Sequence, residues 1–97
     1  MNSIELRRAL HRNPELSFEE YATQQLIIDS LEAEGIEYRK IARTGVLAKI
    51  EGSRGNLSRA VVLRADIDAL PIEELNEIDF RSENRGVMHA CGHDMHT

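Results

Sequence analysis

The chain has no tryptophan, a single cysteine, two prolines, and only two phenylalanines and two tyrosines in 97 residues. With aromatics this scarce, its core must rest on Leu, Ile, Val and Ala. One cysteine excludes an internal disulfide, so the thiol is expected to stay reduced in a soluble, cytoplasmic protein. Long apolar runs are missing as well. None approaches the roughly 18 consecutive apolar residues of a membrane span. A secretory leader is not expected either, because Ile4-Glu5-Leu6-Arg7-Arg8 carries charge where an apolar run would be needed. There is no block or stripe of basic residues. Net charge is −5 with both signs interleaved, which argues against a nucleic-acid or anionic-membrane surface. Repeats and low-complexity segments are also absent.

What remains fits one small domain, since an apolar fraction of 41% supports a modest core. Ile4, Leu6, Ala9 and Leu10 recur at helical spacing and predict a helix from Ser3 to Arg12, ended by Asn13-Pro14. Ser17-Phe18-Glu19-Glu20 has the form of a capping box and predicts a second helix starting at Ser17. Its apolar stripe is Phe18, Tyr21, Ala22, Leu26, Ile28 and Leu31, with Gly35 as the stop. The period then changes. Residues 36–42 and 46–50 read as strands around a Thr44-Gly45 turn, and 52–58 as a polar loop. The apolar run Ala60-Val61-Val62-Leu63 reads as a strand buried on both faces. Two helices followed by a mixed sheet make this an α/β chain.

Two groups of residues carry candidate chemistry. Asp66 and Asp68 follow the buried run, where α/β sheets collect ligands. At i and i+2 in an extended segment they point the same way and can share a metal or a proton. Asx turns before Pro71 account for the same residues. The last ten residues, MHACGHDMHT, hold the cysteine and three of the four histidines. Cys91-Gly92-His93 places a thiolate and an imidazole around a glycine that can turn both toward one point. That donor pair suits zinc and related first-row metals. Asp94 can orient a neighbouring imidazole. His96 shares a helical face with His93, and His89, Cys91 and His93 alternate. Competing readings are a buried Cys91 acting as filler, solvated histidines, or a local structural zinc site. His11, at the end of the first helix, reads as a partner of the helix dipole and no more.

Four blocks, RRALHRNPELSFEE, TGVLAKIEG, VVLRADIDALPIEE and GVMHACGHDMHT, stand in the order seen near the start of one group of metallopeptidases. The chain resembles the aminoacylase/carboxypeptidase-like amidohydrolases, which include hippurate hydrolases, N-acetyldiaminopimelate deacetylases and plant auxin-conjugate hydrolases. The resemblance covers essentially the whole chain, and Ala-Cys-Gly-His-Asp is its most diagnostic part. It implies the first part of a zinc-peptidase-like catalytic domain, with the rest of that domain and a dimerisation or lid domain lying outside residues 1–97. It implies two divalent ions per complete site, of zinc, manganese, nickel or cobalt. Cys91 and His93 match metal ligands. Asp66 matches an aspartate that supports the metal site in the wider superfamily. There a histidine ligand stands two residues earlier, where this chain has Arg64, as this group generally does.

The reaction implied is metal-assisted hydrolysis of the amide in a small N-acyl amino acid. The family's glutamate base and its remaining ligands lie downstream of the Cys-Gly-His-Asp segment, beyond Thr97. These 97 residues alone are therefore expected to be inactive. Two other classes compete: a non-catalytic module that folds or self-associates without metal, and a thiol redox sensor using Cys91. Loss of neighbours around the strand at 60–65 predicts a homodimer or other self-association.

Overall fold

The computed structural model of the chain describes residues 1–55 and 58–97, so part of the loop expected at 52–58 (Asn56 and Leu57) lies outside the described residues. The elements are α1 (Ser3–Arg12), α2 (Tyr21–Ala33), β1 (Glu37–Ile41), β2 (Gly45–Lys49) and the short α3 (His93–His96). This is the α/β order expected, two helices and then a sheet. No helix is long and apolar enough to cross a membrane among the described residues.

Helix α1 has the predicted bounds because both ends are locally determined. The Asn2 side chain accepts from the Glu5 N–H and the Glu5 carboxylate accepts from the Asn2 N–H, each at 2.9 Å, which completes a capping box. At the other end the Asn13 side-chain amide donates to the Ala9 carbonyl, and Pro14 prevents continuation.

Helix α2 starts four residues later than its sequence predicts. Ser17 does not cap it. Its hydroxyl donates instead to Asp68, 51 residues away, and Phe18 takes a positive φ of 63° that breaks any helix there. The free N–H groups of Ala22 and Thr23 are taken by the Glu15 carboxylate at 3.2 and 2.6 Å, an anion at the positive end of the helix. The buried face also differs from the expected stripe. It is Thr23, Gln24 and Ile28, while Phe18 and Tyr21 are exposed. Polar ties hold this face to the hairpin: Thr44 donates to Glu20 at 2.5 Å and Gln24 to the Gly45 carbonyl at 2.8 Å. Gly35 ends α2 as predicted, at φ +67°. The Ile36 and Gly35 N–H groups return to the carbonyls of Leu31 and Glu32, which satisfies the helix end.

β1 and β2 are antiparallel, with Tyr38 opposite Ala48 and Ile41 opposite Gly45. The turn is Ala42-Arg43-Thr44 rather than Thr44-Gly45, with Ala42 and Arg43 at positive φ. Gly45 belongs to the strand, where a Cβ would meet the Ile41 carbonyl at 3.0 Å.

The strand expected at 60–63 is not formed. Val61, Val62 and Leu63 are 82–93% exposed, and among the described residues the sheet has two antiparallel strands rather than a mixed set. A run apolar on both faces needs both faces covered and strands on either side to take its backbone groups. Neither is supplied by the described residues.

Further along, residues 68–70 are stitched between two distant segments. The Ala69 N–H donates to the Glu15 carbonyl at 2.8 Å, and Leu70 and Met88 exchange both backbone bonds at 2.9 and 3.0 Å. This stitch brings the end of the 66–70 segment beside the Cys91 loop. Buried apolar side chains among the described residues are few (Leu10, Ile28, Ala69 and Pro14). The buried polar set is larger, and half of it, His11, Glu74, His89 and Asp94, gathers near that loop.

Candidate metal centre

Gly92 adopts φ +89°, a left-handed conformation that costs a residue with a Cβ about 1–2 kcal/mol. The backbone turns there, and α3 starts at His93. The turn leaves Cys91 exposed and unbridged, which removes the reading of its thiol as a buried filler. His93 is part-buried. Its Nδ1 lies 2.8 Å from Asp68 Oδ1 and 3.0 Å from the Asp68 carbonyl. With both acceptors on one nitrogen, Nδ1 carries the proton and the Nε2 lone pair is left for another partner.

Asp68 is itself held. The Ser17 hydroxyl donates to its Oδ2 at 2.5 Å. That bond, opposed by partial burial and aided by His93, keeps the Asp68 carboxyl below its ordinary value. The displaced Ser17 of the α2 start is therefore part of the site.

Among the described residues Asp66 and Asp68 do not share a partner. Asp66 pairs with Arg64 at 2.6 Å, and its carbonyl accepts from the Thr97 hydroxyl at 3.1 Å. The segment is irregular at this point, so the alternation of a strand does not align the two carboxylates. Contact with His93 falls to Asp68, not to Asp66.

Asp94 holds no imidazole of its own cluster. Its Oδ2 lies 2.8 Å from His11 Nδ1 and accepts from Arg7 Nε at 2.9 Å. The other ring nitrogen of His11 faces both oxygens of Glu74, at 2.9 and 3.1 Å. His11, Glu74 and Asp94 are all buried. Phe80 closes the cluster with its ring 5.5 Å from that of His11, the guanidinium groups of Arg7 and Arg8 lying 5.0 Å from the Phe80 centroid. His11 is thus a central member of a buried network, which its sequence position did not reveal. The available signal was Arg7 and His11 four residues apart on one helical face, able to converge on one anion.

His89 is buried with its ring 6.4 Å from that of His11. Burial holds its imidazole below the ordinary value, against the pull of Asp94. His96 is exposed. Among the described residues no group of three or more His, Cys, Asp or Glu side chains converges to hold a metal. The residues present nevertheless suit a shared metal site. Cys91 offers an accessible sulfur, and His93 offers Nε2 with its other nitrogen tied to a carboxylate, as ligating histidines usually are.

The sequence profile of peptidase family M20/M25/M40 matches residues 62–97. The chain is 47% identical over 95 residues to thermostable carboxypeptidase 2 of Saccharolobus solfataricus, covering 96% of this chain and 24% of the relative. It is 48% identical over 95 residues to an N-acyl-L-amino acid amidohydrolase of Geobacillus stearothermophilus, covering 97% and 25%. Its fold superimposes with a TM-score of 0.88 on a crystal structure from Bacillus subtilis described as a dinuclear metal-binding peptidase of the M20 family. That match has 47% identity over 95% of this chain and 26% of the other. The chain spans about a quarter of the length of the curated relatives it matches.

Proposed function

We propose that this chain, which belongs to peptidase family M20/M25/M40, forms the first part of the catalytic domain of an N-acyl-amino-acid amidohydrolase and supplies two ligands of its metal centre, Cys91 and His93. The observation that carries this reading is the Asp68–His93 contact at 2.8 Å. It fixes the imidazole and leaves Nε2 as a ligand, beside an exposed thiol two residues away. These residues would help to hold a zinc, manganese, nickel or cobalt ion, which would lower the pKa of a water and polarise the amide carbonyl.

Each residue of this chain then has a task. Cys91 binds as thiolate, and its sulfur favours zinc over the harder ions. His93 binds as neutral imidazole through Nε2. Asp68 holds the Nδ1 proton, raises the basicity of the ring and sets its plane. Ser17 keeps Asp68 ionised and turned toward His93. Asp66 has a supporting role one step further out, through Arg64 and Thr97. Two ligands do not complete a site, so the general base and the remaining ligands are assigned to sequence outside these residues. The substrate is a small N-acyl amino acid.

One experiment tests the reading. The purified chain is dialysed against zinc, its metal content measured, and the same sample assayed with an N-acetyl amino acid. The expected result is close to one zinc per chain with no hydrolysis. Cys91→Ser or His93→Ala should abolish zinc retention, and Asp68→Asn should weaken it about 10–100-fold. Zinc retained undiminished by both ligand variants would sink the assignment of Cys91 and His93. Chelator-sensitive hydrolysis by the wild-type chain would sink the claim that the base lies elsewhere.

A further inference from the structure

We propose that His11 is a positioning residue for this site: by gripping Asp94 it fixes the turn that carries His93. The inference rests on the metal reading for its purpose, but the grip itself is a property of the chain and can be tested without metal. Asp94 follows His93 directly, on the first turn of α3. It is 3% exposed. Its Oδ1 has no hydrogen-bond partner among the described residues, so the hydrogen bonds that hold its carboxylate pass through Oδ2. That oxygen meets His11 at 2.8 Å and Arg7 at 2.9 Å, both from α1 and more than 80 residues away in sequence.

The two contacts are unequal. His11 is buried, with 4% of its side chain exposed, whereas 34% of the Arg7 side chain is open to solvent. His11 is also anchored from behind. Its Nε2 meets Glu74, which accepts in turn from the Ser82 N–H at 2.6 Å and from the Asn76 side chain at 3.1 Å. A ring facing carboxylates through both nitrogens cannot rotate without breaking both contacts. α3 has only four residues and cannot hold itself in water. The backbone bonds from Met95 to Gly92 and from Thr97 to His93 therefore depend on the grip of α1. His93 is fixed twice: by Asp68 on its ring, and by His11 through its neighbour's carboxylate.

Amide hydrogen exchange of the metal-free chain, read residue by residue by NMR, tests this. In His11→Ala the Met95 and Thr97 amides should exchange about tenfold faster, the loss expected when one buried hydrogen bond to a charged group is removed, while amides inside α2 change less than about twofold. His11→Asn places an amide donor near the position of Nδ1 and should restore protection of Met95 and Thr97. His11→Gln preserves the reach to Glu74 and should not. Should His11→Ala fail to fold, Arg7→Ala decides, with a smaller rise confined to the same two amides. Unchanged exchange at Met95 and Thr97, or a rise spread evenly over α2 as well, overturns the proposal. Zinc affinity separates the two readings: His11→Ala should weaken it about tenfold, whereas Cys91→Ser should remove it and leave the exchange rates alone. If no variant affects zinc but the exchange result holds, the metal reading fails and the grip stands.

Discussion

Glu74 shows how a residue with no chemistry of its own comes to matter at this site. Its carboxyl is buried, and burial alone would push it up. Hydrogen bonds from His11, the Ser82 N–H and Asn76 outweigh that and hold it below its ordinary value. Arg81 also reaches this residue, donating to its backbone carbonyl. A carboxyl lowered by folding contributes stability that is full above its unfolded value of 4.5 and is lost as the pH falls through the folded value. The chain should therefore keep its stability from neutral pH down to about pH 5 and lose it below roughly 4.5. Glu74→Gln should cost about 1–3 kcal/mol at pH 7 and make the acid limb shallower. Denaturant titrations followed by circular dichroism at several pH values give the comparison, and parallel acid limbs would refute the assignment. At this scale the sequence displayed the donor types well. Cys91 and His93 stand out as donors, and Asp94 reads as the carboxylate that orients an imidazole. The partners were not legible. Asp68 rather than Asp66 meets His93, and Asp94 turns to His11, because those choices depend on where segments 25 to 83 residues apart come to lie.

Elements were legible where their determinants are local. Asn2 and Glu5 specify α1 within one turn, and Gly35 ends α2 for the same reason. The start of α2 misled because Ser17 had two possible partners and the distant one, Asp68, prevailed. The helix is capped instead by Glu15, whose carboxylate spans the Ala22 and Thr23 amides and the Thr23 hydroxyl. Glu15→Ala should thus cost about 1 kcal/mol and shorten α2. Ser17→Ala should leave its helicity unchanged. Both follow from far-UV circular dichroism and denaturant midpoints; a loss of α2 helicity in Ser17→Ala rather than in Glu15→Ala would reverse the capping assignment.

Taken whole, the molecule is held more by polar ties than by an apolar core. Its radius of gyration is 14.9 Å, against about 13 Å for a compact domain of this length. The 60–63 run was legible as a buried strand, and its composition still says so. Burial, however, is not a property of the segment but of what lies over it. Val61, Val62 and Leu63 lie open at 87, 82 and 93% exposure. Surface of that kind draws chains together, so sedimentation should find concentration-dependent association, reduced by Val62→Lys. A monomer at all concentrations would count against it. The stitching of α1 to the turn at His93 also sets a schedule. Contacts between α2 and the hairpin join residues 21 to 24 apart and can form while synthesis continues. The His11–Asp94 contact spans 83 residues, which ribosomes take roughly 4–17 s to add at 5–20 residues per second. During that interval the first helix waits with its histidine face unfilled. The grip on the His93 turn thus becomes possible long after the first helix has formed, because it joins segments 83 residues apart.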